Sequence, residues 1–168
     1  MREDRGTRLF ENARVLPRAF VPARVRYEQT APAVLSAMAQ ARDFSQTAWV
    51  LAPDRARQDV ANGPGALTIR GDGAHFDIDA TMEGDGWVVI SEAAWHGWRA
   101  DVDGRPAPIV AANHAFLGVH VPKGTHRVRL VYRPASFIWG LAISLVTTGG
   151  LLVAAVVGYA MRDHGGRS

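Results

Sequence analysis

Thr125-His126-Arg127-Val128-Arg129-Leu130-Val131-Tyr132 changes polarity at almost every step, and that period of two decides the fold. Successive side chains of a strand point to opposite faces. His126, Val128, Leu130 and Tyr132 are therefore predicted to face a core, and Arg127 and Arg129, continued by Arg133, to face away from it. The same period recurs upstream. Leu67, Ile69 and Gly71 alternate with Thr68 and Arg70, and Phe76, Ile78 and Ala80 alternate with Asp77, Asp79 and Thr81. Gly84-Asp85-Gly86, Asp103-Gly104 and Pro122-Lys123-Gly124-Thr125 have the turn chemistry that reverses a chain between such strands. Trp87-Val88-Val89-Ile90 is apolar on both sides, as a central strand should be, and Ala100–Val102 and Ala115–Val121 complete the set. Strands about ten residues apart with turn signals between them predict a mainly β protein, an antiparallel sandwich or jelly roll.

Nearer the N-terminus the signals are mixed. Residues 13–25, interrupted by Pro17 and Pro22, read as an edge strand or extended entry segment. Thr30-Ala31-Pro32 looks like a helix start, with Val34, Leu35, Met38 and Ala39 on one face and an end near Ala41. Trp49-Val50-Leu51 reads as a strand, and Asn62-Gly63-Pro64-Gly65 as a loop.

Beyond Tyr132-Arg133-Pro134 the pattern changes again. Phe137–Met161 carries no charge. At about 1.5 Å per residue a helix of that length reaches roughly 37 Å, more than the roughly 30 Å hydrocarbon core of a bilayer. The sequence thus predicts a β domain over 1–136, a single transmembrane helix over 137–161 and a short tail over 162–168. Gly150, Ala154 and Gly158 fall four apart and give that helix a smooth face for packing on another helix. Trp139 reads as an interfacial anchor.

Composition narrows the function classes. The net charge is +3, with one lysine among nineteen basic residues and the acids scattered between them, so no basic stripe for nucleic acid is present. No cysteine means no disulfide framework and no thiolate ligand or nucleophile. The N-terminus, Met1 to Arg8, is charged and precedes no apolar run, so a secretory signal is not expected there. A domain before a C-terminal anchor then stays cytoplasmic as a tail-anchored protein, or the chain is the end of a longer one.

Asp77-Ile78-Asp79 and Asp101-Val102-Asp103 have the spacing that puts two carboxylates on one face of a strand. The solvated side of an alternating strand and a turn explain them better than a metal. The six histidines include no helical zinc spacing. Ser91 and Glu92 near His96 lack the glycines of a nucleophile elbow. No catalytic residue, metal ligand or cofactor is expected.

Several runs together resemble one family. They are Asn12 to Val21, Ser91-Glu92-Ala93-Ala94-Trp95-His96-Gly97-Trp98-Arg99-Ala100-Asp101-Val102-Asp103-Gly104, Ala112-Asn113, Val121 to His126 and Tyr132 to Phe137, with Gly140 and Ile143-Ser144. In that order they are similar to the C-terminal end of YfhO-type bacterial membrane proteins. This chain has Ala94-Trp95-His96 where members more often show a Tyr-Tyr-Pro run before Gly-Trp. The resemblance implies a multi-spanning glycosyltransferase of the GT-C type, working on cell-envelope acceptors from a lipid-linked donor, whose C-terminal part is an extracytoplasmic β domain with a final membrane helix. The catalytic acid of such proteins lies upstream of this region, so the resemblance implies a non-catalytic part with a polytopic membrane half as partner.

Trp87, Trp95 and Trp98 then acquire two meanings. Flat aromatic faces can hold sugar rings, so Trp95, His96 and Trp98 form a candidate glycan surface, while packing into the domain is the plainer role and the one favoured for Trp98. Arg162 and Arg167 against Asp163 weakly favour a cytoplasmic tail. Lys123, Arg127, Arg129 and Arg133 argue the opposite until the strand arginines are assigned to a folded surface, where charge rules for loops apply poorly. The expected location is the inner membrane, single-pass, with the β domain extracytoplasmic. A stand-alone carbohydrate-binding or tail-anchored interaction module is the alternative.

Overall fold

The computed structural model of the chain describes residues 2–4, 7–9 and 15–165. Asn12 to Arg14 of the first family-like run, and Arg167 of the tail, lie outside them. The chain divides into two compact units, residues 1–132 and 133–168.

The first unit is built of strands. β1 (Arg2–Asp4) and β2 (Thr7–Leu9) pair with each other. β3 (Ala19–Phe20), β4 (Arg24–Glu28), helix α1 (Ala31–Ala39), β5 (Thr47–Leu51) and β6 (Gln58–Ala61) follow. β7 (Gly65–Asp72), β8 (His75–Met82), β9 (Gly86–Ala93), β10 (Trp98–Val102), β11 (Arg105–Ala107), β12 (Ile109–Ala112), β13 (Phe116–Val121) and β14 (Gly124–Tyr132) complete it. They form a five-stranded sheet in the order β11-β10-β14-β8-β7 and a seven-stranded sheet in the order β3-β9-β13-β12-β5-β4-β6.

The two sheets enclose one main core. Phe76, Ile78, Ala80 and Met82 of β8 and Val128 and Leu130 of β14 come from one sheet, and Val88 and Ile90 of β9 with Leu117, Val119 and Val121 of β13 from the other. Each large aliphatic or aromatic side chain buried this way is worth about 1.5–3 kcal/mol. The alternation read in β8 and β14 is thus the alternation between core and outer face. Val89 turns the other way, into a second cluster with Phe20, Ala48 and Ala112, which is why β9 is apolar on both sides.

The N-terminal third is more divided than its sequence suggested. Pro22 cannot donate to a ladder, and the expected strand over 13–25 resolves into β3, at the sheet edge, and β4, inside it. β4 and β5 pair in parallel while every other pairing described is antiparallel. A parallel pair needs a crossover, and α1 supplies it. Thr30 caps α1, its hydroxyl accepting from the Ala33 amide at 3.3 Å, with Pro32 in the first turn. Val34 is buried, whereas Leu35, expected on the same face, is exposed. β6, β11 and β12 were not anticipated.

The second unit contains helix α2 (Ala135–Gly165), of which Ala135–Val156 is long and apolar enough to cross a membrane. Its large apolar side chains, from Phe137 to Val156, are all more than half exposed. A helix apolar on every side suits lipid, not water.

Candidate functional site

Of the residues singled out in the sequence, Trp95, His96 and Trp98 lie together at one end of the sandwich. β9 ends at Ala93, the chain crosses from one sheet to the other through Ala94–Gly97, and β10 begins at Trp98. That crossing is pinned to the seven-stranded sheet. The Ala94 amide donates to the Ala115 carbonyl at 2.8 Å, the Trp95 amide to Ala93 at 2.8 Å, and Gly97 takes the left-handed conformation at φ 119°. Trp98 is drawn inward. Its ring stacks on Phe76 at 5.8 Å and lies 5.2 Å from Tyr132, its register partner, while its indole N–H donates to the Ala93 carbonyl at 3.1 Å. Trp95, three residues earlier, stands 71% exposed, and His96 beside it is also exposed. The trio of Trp95, His96 and Trp98 therefore separates into an outward pair and an inward anchor. Trp87 is a packing residue, donating its indole N–H to the Tyr27 hydroxyl at 2.8 Å and meeting His120 edge-on at 5.3 Å.

Ser91, Glu92 and His96 do not assemble as a catalytic set. The Ser91 hydroxyl donates to the Pro17 carbonyl at 2.8 Å, and Glu92 takes an Arg18 N–H at 3.0 Å.

The paired carboxylates of β8 belong to a charge ladder on the outer face of the five-stranded sheet. Asp77 lies against His75 at 2.9 Å and Arg129 at 3.3 Å, and Asp79 against Arg70 and, at 3.3 Å, Arg127. The His75 bond, then Arg129, holds Asp77 below the usual carboxylate range; Arg70, then Arg127, does the same for Asp79. Arginines of β14 thus neutralise acids of β8 across the ladder, and among the described residues no group of three or more His, Cys, Asp or Glu converges as a metal site. Asp101 and Asp103 serve the tight turn instead. Asp101 accepts the Gly104 amide at 3.1 Å; Asp103 accepts the Arg127 amide at 2.8 Å and contacts His126 at 2.7 Å. Asp103 and Gly104 have φ of 52° and 77°, as a two-residue hairpin turn requires.

Two buried asparagines were missed as structural keys. Asn62 accepts the Trp87 amide at 2.7 Å and donates to the carbonyls of Pro22 at 2.8 Å and Trp87 at 3.1 Å. The Asn113 side-chain oxygen accepts the Trp49 backbone amide at 2.9 Å, while the Asn113 backbone N–H donates to the Trp49 carbonyl at 2.8 Å. Glu28, 3% exposed, faces Arg57 at 3.2 Å. A concavity of about 300 Å³ beside the end of α1 is lined by Arg26, Gln40, Arg42, Asp43, Thr47 and Trp49.

On α2, Gly150 and Ala154 are exposed and no side chain approaches Gly150. Gly158 continues the helical spacing.

A family model described as bacterial membrane protein YfhO matches residues 55–144, more than half of the chain. The match runs from before β6 through both sheets into the start of α2. No curated protein and no solved structure matches.

Proposed function

This chain belongs to the YfhO family of bacterial membrane proteins, and from that premise we propose that it is the non-catalytic C-terminal part of a membrane glycosyltransferase system acting on cell-envelope glycan or polymer. In this reading residues 1–136 form an extracytoplasmic sandwich, α2 crosses the inner membrane through 137–161, and residues 162–168 lie in the cytoplasm. Catalysis resides in a polytopic membrane partner, or a membrane half of the same protein, against which the face of Gly150, Ala154 and Gly158 packs.

One observation carries the proposal: the family match is continuous across the boundary between the sandwich and a helix whose apolar side chains are exposed on all sides. The pairing of Asp77 and Asp79 with arginines, and of Ser91 and Glu92 with Pro17 and Arg18, supports this reading. Purification in mild detergent should recover the chain with a multi-spanning membrane protein, and the sandwich should be digested by protease added outside intact cells stripped of their wall. A monomeric chain without such a partner would overturn the proposal.

A further inference from the structure

We propose that the end of the sandwich carrying Trp95 rests on the membrane surface, with the Trp95 indole seated among anionic phospholipid headgroups. This rests on α2 spanning the bilayer, as read above.

The argument begins with connectivity. β14 leaves the five-stranded sheet at Tyr132, and α2 begins at Ala135, so only Arg133 and Pro134 separate the last strand residue from the first helical one. Two extended residues reach about 7 Å. The Tyr132 end of the sheet is thus the end that the chain tethers to the helix. Trp98 is the register partner of Tyr132, and the Tyr132 amide donates to the Ala74 carbonyl at 2.8 Å, which places the Ala94–Gly97 crossing and the Gly73-Ala74 turn at this end. The hairpin Asn113–Ala115 is there too, bonded to Ala94.

The composition of this end suits a headgroup layer. Among the described residues of the sandwich only Val15, Leu35 and Trp95 are exposed large apolar side chains. Two of them come to this end: Trp95, and Val15 on the segment that enters β3 alongside Ser91, whose amide bonds the Arg18 carbonyl. Exposed Arg18 and Arg99, with His75, His96 and His114, lie on the strand ends and turns of this end, and Arg133 follows Tyr132 in the chain. Against these stand Glu92, already paired with Arg18, Asp77, bonded to His75, and Asp72. Indoles favour the interfacial layer, and arginines beside a membrane are attracted to anionic lipid. The backbone of Ala94 and Trp95 is bonded to the seven-stranded sheet, at Ala115 and Ala93, and Trp95 stands outward from it.

The chain has no cysteine, so single labels are clean. In the full chain, Ala94→Cys, Glu83→Cys and Leu151→Cys would each carry an environment-sensitive fluorophore after reconstitution into vesicles of phosphatidylethanolamine and phosphatidylglycerol containing headgroup spin-labelled lipid. The Ala94 label should be quenched several-fold more by the spin-labelled lipid than the Glu83 label at the opposite end, and Trp95→Ala in the same background should remove most of that difference. Equal quenching at positions 94 and 83, with the Leu151 label in lipid, would overturn this inference and leave the spanning helix intact. A Leu151 label open to aqueous iodide would overturn both. Shielding of the Ala94 label by soluble envelope oligosaccharide and not by lipid would overturn it in favour of a glycan surface.

Discussion

The two ends of the sandwich solve the same problem of reversing the chain with different materials. At the end of Glu83-Gly84-Asp85, Asp103-Gly104 and Pro122-Lys123, the turns are closed by their own polar groups. Asp85 accepts the Lys123 amide at 2.8 Å, Asp103 accepts the Arg127 amide, and Asn62 ties the Trp87 strand to Pro22. At the opposite end the crossing is bonded in its backbone but presents Trp95 and His96 outward, and the neighbouring hairpin presents His114. One end is satisfied by the chain itself and suits bulk water. The other keeps its backbone satisfied while showing aromatic and basic side chains, which is what a surface meant for another phase requires.

The sharpest way to break this comparison is at the closed end. Asn62→Ala removes the partner of one amide and two carbonyls that water reaches poorly, Asn62 itself being 7% exposed. Leaving such groups unpaired should lower stability by about 3 kcal/mol, measured by thermal unfolding of the full chain in detergent. Gly63 points the same way, since a Cβ there would meet the Gly84 carbonyl oxygen at 2.2 Å. A variant at Asn62 as stable as the parent would mean that the end is not closed by this network.

The open end makes a smaller and more discriminating test, because it contains two tryptophans three residues apart with opposite roles. Trp98→Ala empties the space against Phe76 and Tyr132 and orphans its bond to Ala93; for a half-buried indole the loss should be about 2 kcal/mol. Trp95→Ala should change stability by less than about 0.5 kcal/mol, as an exposed side chain does. Equal destabilisation by the two changes would show that Trp95 packs on the domain and is not free to meet another phase.

What could be read beforehand follows the same division. The strands β8 and β14 were legible because one face meets the core and the other does not, which imprints a period of two on Phe76, Ile78, Ala80 and on Val128, Leu130. The apolar run of α2 was legible because no charge interrupts Phe137–Met161. β6 and β12 were not, since a short strand such as Gln58–Ala61 owes its pairing to a neighbour, Arg24–Tyr27, and not to its own pattern. Asn62 and Asn113 advertise only turns. Their bonds reach 25 and 64 residues along the chain, and nothing local encodes that. The two tryptophans share a residue type and a motif; packing was the role favoured for Trp98, and its register with Tyr132 is what turns it inward.

The smallest expected effect lies in the Asp103–His126 pair of the closed end, and it has a definite sign. The Asp103 bond, then the Lys123 carbonyl, raises His126 above its ordinary 6.5, and the His126 bond, then the Arg127 amide, lowers Asp103 below 3.8. A raised histidine stabilises the fold fully below 6.5 and loses that contribution as pH rises through its folded value; a lowered aspartate stabilises above 3.8 and loses it as pH falls through its own. Both charges are present between those limits, so the pair helps most in mildly acidic solution and fades on the alkaline side. With Asp103 half exposed, solvent screens much of the attraction, and the change should be a shallow slope in melting temperature. His126→Asn should flatten that slope above pH 6.5 relative to the parent. Parallel slopes in parent and variant would show that the turn is held by Asp103 and the Arg127 amide alone, and that the closed end depends on backbone bonds more than on charge.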